Sequence, residues 1–153
     1  MVHDERLEEF LTQFGLEWQI VLEERQVSLC NEWEALYGNC FDRRFRQKEG
    51  GKAQFEYSSQ IAGRFLIVPF LGNVGGPHSI NKRGPRKAAY DCHGDGNLPD
   101  LSAFAPTDFF IVPDDLSWTM IHTHEYAMFG GFGGPYFVRK EWLVPAKRKR
   151  RGR

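Results

Sequence analysis

Two histidines in the last third of the chain, His122 and His124, are separated by a single residue. The surrounding residues, 118–124, have the composition and length of a β-strand. Because successive side chains of a strand point to opposite faces, both imidazoles would share the face that carries Trp118 and Met120. Imidazole nitrogens in this arrangement suit zinc, iron or copper. The spacing therefore raises one specific hypothesis, a metal-dependent enzyme centred on His122 and His124.

The same histidines have a second interpretation, as hydrogen-bonded structural residues at the end of a strand. A catalytic zinc site takes three protein ligands and keeps one position open. The third ligand would have to come from Asp91-Cys92-His93-Gly94-Asp95, with His93 as the candidate. Because only two ligands stand together in the sequence, we favour the structural interpretation. We assign no catalytic residue and expect no cofactor.

Two other kinds of active site have little support in the sequence. The chain contains no Gly-x-Ser-x-Gly motif, which would place a nucleophilic serine on a strand-to-helix turn. Its glycine runs lack the Gly-Lys-Ser/Thr that completes a phosphate-binding loop. These patterns favour a protein that binds over one that catalyses.

Aromatic residues surround a glycine-rich run at 130–134. Large aromatic side chains often anchor protein interfaces, and glycines let the backbone of a partner approach closely. The predicted binding residues are His124, Glu125, Phe129, Phe132 and Tyr136. Residues 72–106, rich in glycine and proline and without periodicity, would add a long loop to this surface.

The elements that must position these residues predict an α+β fold. Apolar residues at helical spacing predict a helix over 4–14 and a second over 27–37. The predicted strands are 17–23, 53–59, 64–71, 108–112, 118–124 and 135–140. Helices first and closely connected strands later are typical of α+β folds. We expect a mostly antiparallel sheet of about five strands, with the two N-terminal helices packed on one face.

The charge is unevenly distributed, although the formal net charge is zero. Residues 147–153 hold six basic residues and no acid, which leaves 14 basic against 20 acidic residues elsewhere. Because complementary charge speeds association, an acidic body suits a basic protein partner such as a nuclease toxin. Nucleic acid is not expected as a partner, except through the basic tail.

The cysteines indicate a reducing compartment. Cys30, Cys40 and Cys92 are odd in number and irregular in spacing, which is not a disulfide framework. No apolar run approaches the roughly 20 residues that span a bilayer. We therefore expect a cytoplasmic protein that does not enter a membrane.

The C-terminal third resembles a group of small, uncharacterised bacterial α+β proteins. The shared motifs are Trp118-Thr119, Thr123-His124-Glu125 and Gly134-Pro135-Tyr136-Phe137, with Trp33-Glu34 nearer the start. Proteins of this kind are similar to immunity proteins, which neutralise a toxin by binding it. The resemblance implies an inhibitor that acts by surface contact.

We predict that residues 146–153 form a basic, disordered tail on a single α+β domain of residues 1–145. The tail has no apolar residue that could anchor it. Truncation after Pro145 should therefore change the free energy of unfolding by no more than about 0.5 kcal/mol, a few degrees in Tm by calorimetry. A large fall in Tm would show that the tail docks on the domain.

Overall fold

The computed structural model describes residues 1–40, 42, 44–70, 87–104, 108–123 and 134–143. These residues form an α+β fold with three α-helices and a seven-stranded sheet. The helices are α1 (Glu5–Phe14), α2 (Glu23–Tyr37) and α3 (Gly51–Ser58). The strands are β1 (Glu17–Ile20), β2 (Lys48–Glu49), β3 (Arg64–Pro69), β4 (Tyr90–His93), β5 (Phe109–Pro113), β6 (Trp118–His122) and β7 (Tyr136–Arg139). Short 3-10 helices cover Ser102–Phe104 and Lys140–Leu143.

The strands lie in the order β1-β4-β3-β5-β6-β7-β2, and every neighbouring pair is antiparallel. Five of the predicted strands are present, including the β5–β6 hairpin that turns at Asp114 and Asp115. Two further strands, which were not predicted, bring the total to seven. β2 is only two residues long, and β4 lies inside the stretch predicted to be a loop. No helix in the described part of the chain has the length and apolar character to cross a membrane.

Helix α1 forms where the apolar spacing predicts it. The Asp4 carboxylate accepts a hydrogen bond from the Leu7 amide, so it caps the first turn. Gly15 ends the helix at φ +101°, a left-handed conformation that glycine adopts without strain. Leu7 and Leu11 face inward and are buried. Local signals at both ends therefore define this element.

The helices cover both faces of the sheet, so the prediction that the two N-terminal helices share one face was wrong. Helix α2 packs Leu29, Trp33 and Tyr37 on one face, whereas α1 and α3 pack on the other. The α2 face presents Leu66, Val68, Phe110, Val112 and Ile121, and the α1 face presents Phe65, Ile67, Phe109, Ile111 and Met120. The physical reason is that the central strands are apolar on both faces, and each face needs a cover.

Helix α3 replaces the predicted strand over 53–59. The alternation of Phe55 and Tyr57 suggested a strand, but the helix buries Ala53 and Tyr57, four residues apart, on its inner side. Phe55 points outward and is 71% exposed. The Tyr57 hydroxyl donates a hydrogen bond to the Pro99 carbonyl at 2.6 Å. Tertiary burial of Tyr57 therefore decides the conformation of this segment.

A buried hydrogen bond joins α2 to the sheet. Trp33 Nε1 donates to the Thr119 hydroxyl at 2.9 Å, and this hydroxyl donates to the Ile111 carbonyl at 3.2 Å. Trp33 also stacks on Phe110, with ring centroids 5.0 Å apart. A similar tryptophan–threonine bond, from Trp18 Nε1 to the Thr12 hydroxyl, lies at the exposed surface. The two pairs differ mainly in their access to water.

We predict that Thr119→Val lowers the free energy of unfolding by about 1–3 kcal/mol, because it leaves a buried indole N–H without an acceptor. Thr12→Val should cost within about 0.5 kcal/mol, since water can replace the lost hydroxyl at the surface. Urea unfolding of both variants measures the difference. An equal cost at the two positions would contradict the role given to the buried bond.

Candidate functional site

Four central strands begin or end together at one end of the sheet. The Phe70 amide donates to the Asp108 carbonyl at 3.1 Å, and Pro69, Phe109 and His122 lie in one row across β3, β5 and β6. β7 begins one residue short of this row, where Tyr136 pairs with Ile121, and a Cβ at Gly134 would lie 3.7 Å from Thr123 Oγ1. Residues 70, 108, 123 and 134 therefore lie side by side. We call this end of the sheet, where Phe70, Asp108, Thr123 and Gly134 lie close together, the Phe70 end.

The Phe70 end is where the described chain meets the stretches that the sequence singled out. Residue 70 precedes 71–86, and residues 123 and 134 flank 124–133. Four of the predicted binding residues, His124, Glu125, Phe129 and Phe132, lie outside the described residues. The flanking positions that carry these stretches are held close together by the sheet.

Tyr136, the fifth predicted binding residue, is half-buried and packs against the α2-side core. A Cβ at Gly134 would lie 2.9 Å from Tyr136 Cε2, and the φ of Gly134 is +118°. Both observations require glycine at this position. Tyr136 therefore has a structural role where β7 begins, and only part of its ring faces the surface.

His122 is buried, with 3% of its surface exposed. It lies opposite Phe109 on β5, and the two rings stack with centroids 4.8 Å apart. Trp118 and Met120 belong to the core cluster that contains Phe109, so the prediction that His122 shares their face is confirmed. His124, the other histidine of that prediction, lies outside the described residues.

The environment of His122 favours a neutral imidazole. Burial lowers its pKa to about 4, and the nearby negative charge of Asp100 only partly opposes this effect. Its Nε2 is buried and has no hydrogen-bond partner among the described residues. No described residue therefore satisfies this polar atom of the neutral ring that stacks on Phe109.

The structure does not bring His93 to His122. His93 pairs with Arg64 at the start of β3, whereas His122 lies in the row of Pro69 at the end of that strand. The five residue steps from Arg64 to Pro69 correspond to about 16 Å along the strand. The described residues contain no group of three or more side chains placed to hold a metal ion. The three-histidine ligand set is therefore not assembled in the described part of the chain.

His93 instead belongs to a charged cluster at the opposite end of the sheet. Arg64 forms two hydrogen bonds with the Asp91 carboxylate, at 3.1 and 2.8 Å, and His93 Nε2 lies 3.4 Å from Asp91 Oδ1. Burial acts to raise the pKa of Asp91, but the Arg64 guanidinium outweighs it and holds that pKa below its usual range. This arrangement stabilises a buried carboxylate and accounts for the polar residues of this segment.

Helix α2 begins beside the Phe70 end. Gln26 Nε2 donates to the Lys87 carbonyl at 3.0 Å and reaches the Pro69 carbonyl at 3.5 Å. This contact places the start of α2 near the row of strand ends. Leu22, just before the helix, is 72% exposed, and it is followed by exposed Glu23 and Glu24. A large apolar side chain is therefore displayed among acidic residues.

A cavity of about 370 Å³ lies between the first turn of α1 and the sheet. Pro69, Lys87 and Phe109, near the Phe70 end, line part of it, and Arg6 and Leu101 line other parts. The residues of this cavity come from five segments of the chain, so no local pattern in the sequence predicts it. The one local signal was the Asp4 cap, which reveals where the helix starts but not what it faces.

Comparison with known proteins gives no match: no family model, no curated protein and no solved structure is similar to this chain.

We predict that His122 makes stability depend on acid pH. The unfolded chain binds a proton near pH 6.5, whereas folded His122 binds one only near pH 4. Its contribution is therefore fully present above pH 6.5 and is lost as the pH falls towards 4. Between pH 7 and 4.5 the loss is on the order of 2 kcal/mol.

Urea unfolding at both pH values tests this expectation. His122→Gln should lack this part of the pH dependence, because it removes the titrating group. His93→Gln, at an exposed position, should retain it. The assignment to His122 fails if wild type and His122→Gln lose the same free energy of unfolding over this range.

Proposed function

We propose that this chain is a binding protein, an inhibitor of the immunity type that acts by surface contact with a protein partner. One observation carries the proposal. The positions that flank the predicted contact stretches converge at the Phe70 end of a rigid, fully paired part of the sheet. The proposed binding residues in these stretches are His124, Glu125, Phe129 and Phe132. The exposed part of the Tyr136 ring, at the start of β7, would add to this surface.

Such an arrangement suits recognition because binding segments are often carried by a rigid scaffold. The Phe70 end is fixed by ladder pairing across β3, β5, β6 and β7. Several segments, though far apart in sequence, therefore start from defined positions beside one another. A partner can contact them together without the sheet having to rearrange.

The acidic residues at the start of α2 favour a basic partner. Glu23 and Glu24 are exposed at the start of α2, and exposed Leu22, just before the helix, adds apolar area. Complementary charges speed association, and an apolar anchor slows dissociation. A basic toxin fits this combination.

We predict that reversing two charges at the Phe70 end weakens the complex with the proposed partner, a basic toxin. The Glu23→Lys/Glu24→Lys variant should raise Kd about tenfold or more at low salt, because like charges then face each other. Titration calorimetry at low and high salt measures the effect. The difference from wild type should shrink as salt screens the charges.

A matched control reverses two exposed acids elsewhere, Glu17→Lys/Asp114→Lys, at the first residue of β1 and in the β5–β6 turn. Its net charge equals that of the test variant, so long-range attraction changes equally. Kd should change much less in the control. Equal weakening by both variants would remove the Phe70 end as the contact surface, and failure of the wild-type protein to bind or inhibit the toxin would contradict the proposed function.

A further inference from the structure

The cavity beside α1 has the size of a small-molecule site. Its volume of about 370 Å³ lies within the range of roughly 300–1,000 Å³ that ligand pockets occupy. Ile67 and Phe109 form part of its lining from the sheet, and Leu101 and Phe104 contribute from the segment around the first 3-10 helix. This mainly apolar lining would favour an apolar ligand body.

Hydrogen bonds within the protein itself hold the walls of this cavity in place. The Tyr90 hydroxyl accepts a bond from the Asp4 amide at 3.0 Å and donates to Glu8 Oε2 at 2.7 Å. The Ala88 amide donates to the Val2 carbonyl at 2.8 Å. The Tyr90 bonds tie the first two turns of α1 to β4, and the Ala88 bond ties the residues that precede α1 to those that precede β4. The cavity is therefore preformed, and a ligand would not have to order its walls.

The aromatic side chains suit a flat ligand. Phe104 and Phe109 both line the cavity, and Phe104 also contacts Phe10 at a centroid distance of 5.3 Å. The neutral ring of His122 backs Phe109 through the stacking contact described above. Phe109 is thus held between strand neighbours and offers a fixed apolar surface to the cavity.

The charged lining residues favour a carboxylate on that ligand. Lys87 is exposed at the cavity, and the Arg6 guanidinium lies 5.3 Å from the centroid of Phe104. The lining also holds two exposed acids, Asp4 and Glu5, of which the Asp4 carboxylate is engaged in capping α1. The lining charges balance in number, but neither Lys87 nor Arg6 forms an ion pair with a described residue, so both cations can contact an anionic group.

We propose that this cavity binds a small amphipathic carboxylate, with a flat apolar body against Phe104 and Phe109 and its carboxylate near Lys87 and Arg6. The site does not depend on the proposed partner surface, since it requires only the cavity and its two cations. It adds a small-molecule ligand to a protein proposed above to bind another protein.

The test uses 2-naphthoate as the probe and 2-naphthamide as its uncharged counterpart, with binding followed by NMR shifts and calorimetry on the full chain. Naphthoate should bind at one saturable site and shift the amide signals of Leu7, Ala88 and Leu101. Lys87→Gln should weaken naphthoate binding about tenfold, because a charge-assisted hydrogen bond is lost. It should change naphthamide binding by less than about twofold. Arg6→Gln should act in the same direction.

Two further variants complete the design. Lys52→Gln, at an exposed lysine of α3, should leave both affinities unchanged. Ala88→Phe fills the cavity and should abolish the binding of both probes. If this variant does not fold, Lys87→Gln and Arg6→Gln still test the proposal. The proposal is overturned if naphthoate does not saturate, if its shifts map away from α1 and β4, or if Lys87→Gln/Arg6→Gln binds it as well as wild type.

Discussion

The fold depends on one constraint, which is that the central strands must be covered on both faces. All residues from Phe65 to Pro69 in β3, and every residue of β5 and β6, are buried. Burial of apolar surface contributes about 25 cal/mol per Å², so leaving either face of three such strands in water would cost more than a domain's net stability. The placement of α2 on one side and of α1 and α3 on the other follows from this requirement.

Aromatic side chains that carry a polar atom determine the position of each helix on the sheet. Trp33 reaches Thr119 from α2, and the Tyr37 hydroxyl donates to the Leu116 carbonyl at 2.6 Å. On the other face, Tyr57 of α3 donates to the Pro99 carbonyl, and Tyr90 of β4 donates to Glu8 of α1. Apolar burial is not directional, whereas these bonds have one acceptable geometry. They therefore give each helix a defined position over a sheet that would otherwise offer a smooth apolar surface.

Local signals predicted the elements whose residues decide their own conformation. Helix α1 could be predicted because its cap, its apolar spacing and Gly15 agree, and the β5–β6 hairpin because two short apolar runs flank a turn. Helix α3 could not, since Ala53 and Tyr57 fit a helix while Phe55 and Tyr57 fit a strand. Strand β4 is four residues long and pairs only with distant segments, so its stretch looked like a loop.

The candidate site shows the same division. Strand periodicity correctly placed His122 on the face of Met120, because that needs only the alternation of side chains. It could not place His93, whose distance from His122 depends on the order of four strands. The cavity could not be predicted from the sequence for a related reason. Val2, Lys87 and Leu101 become neighbours only after α1 has docked on the sheet.

The two outer strands of the sheet have a consequence for solubility. Both are short, with four residues in β1 and two in β2, and their exposed residues include Glu17, Gln19 and Glu49. An edge strand offers unpaired backbone groups to which another chain can add, and short charged edges discourage such addition. A sheet with so apolar an interior is thereby poorly suited to serve as a template for fibril growth. The least regular strands of the fold thus protect the most hydrophobic ones.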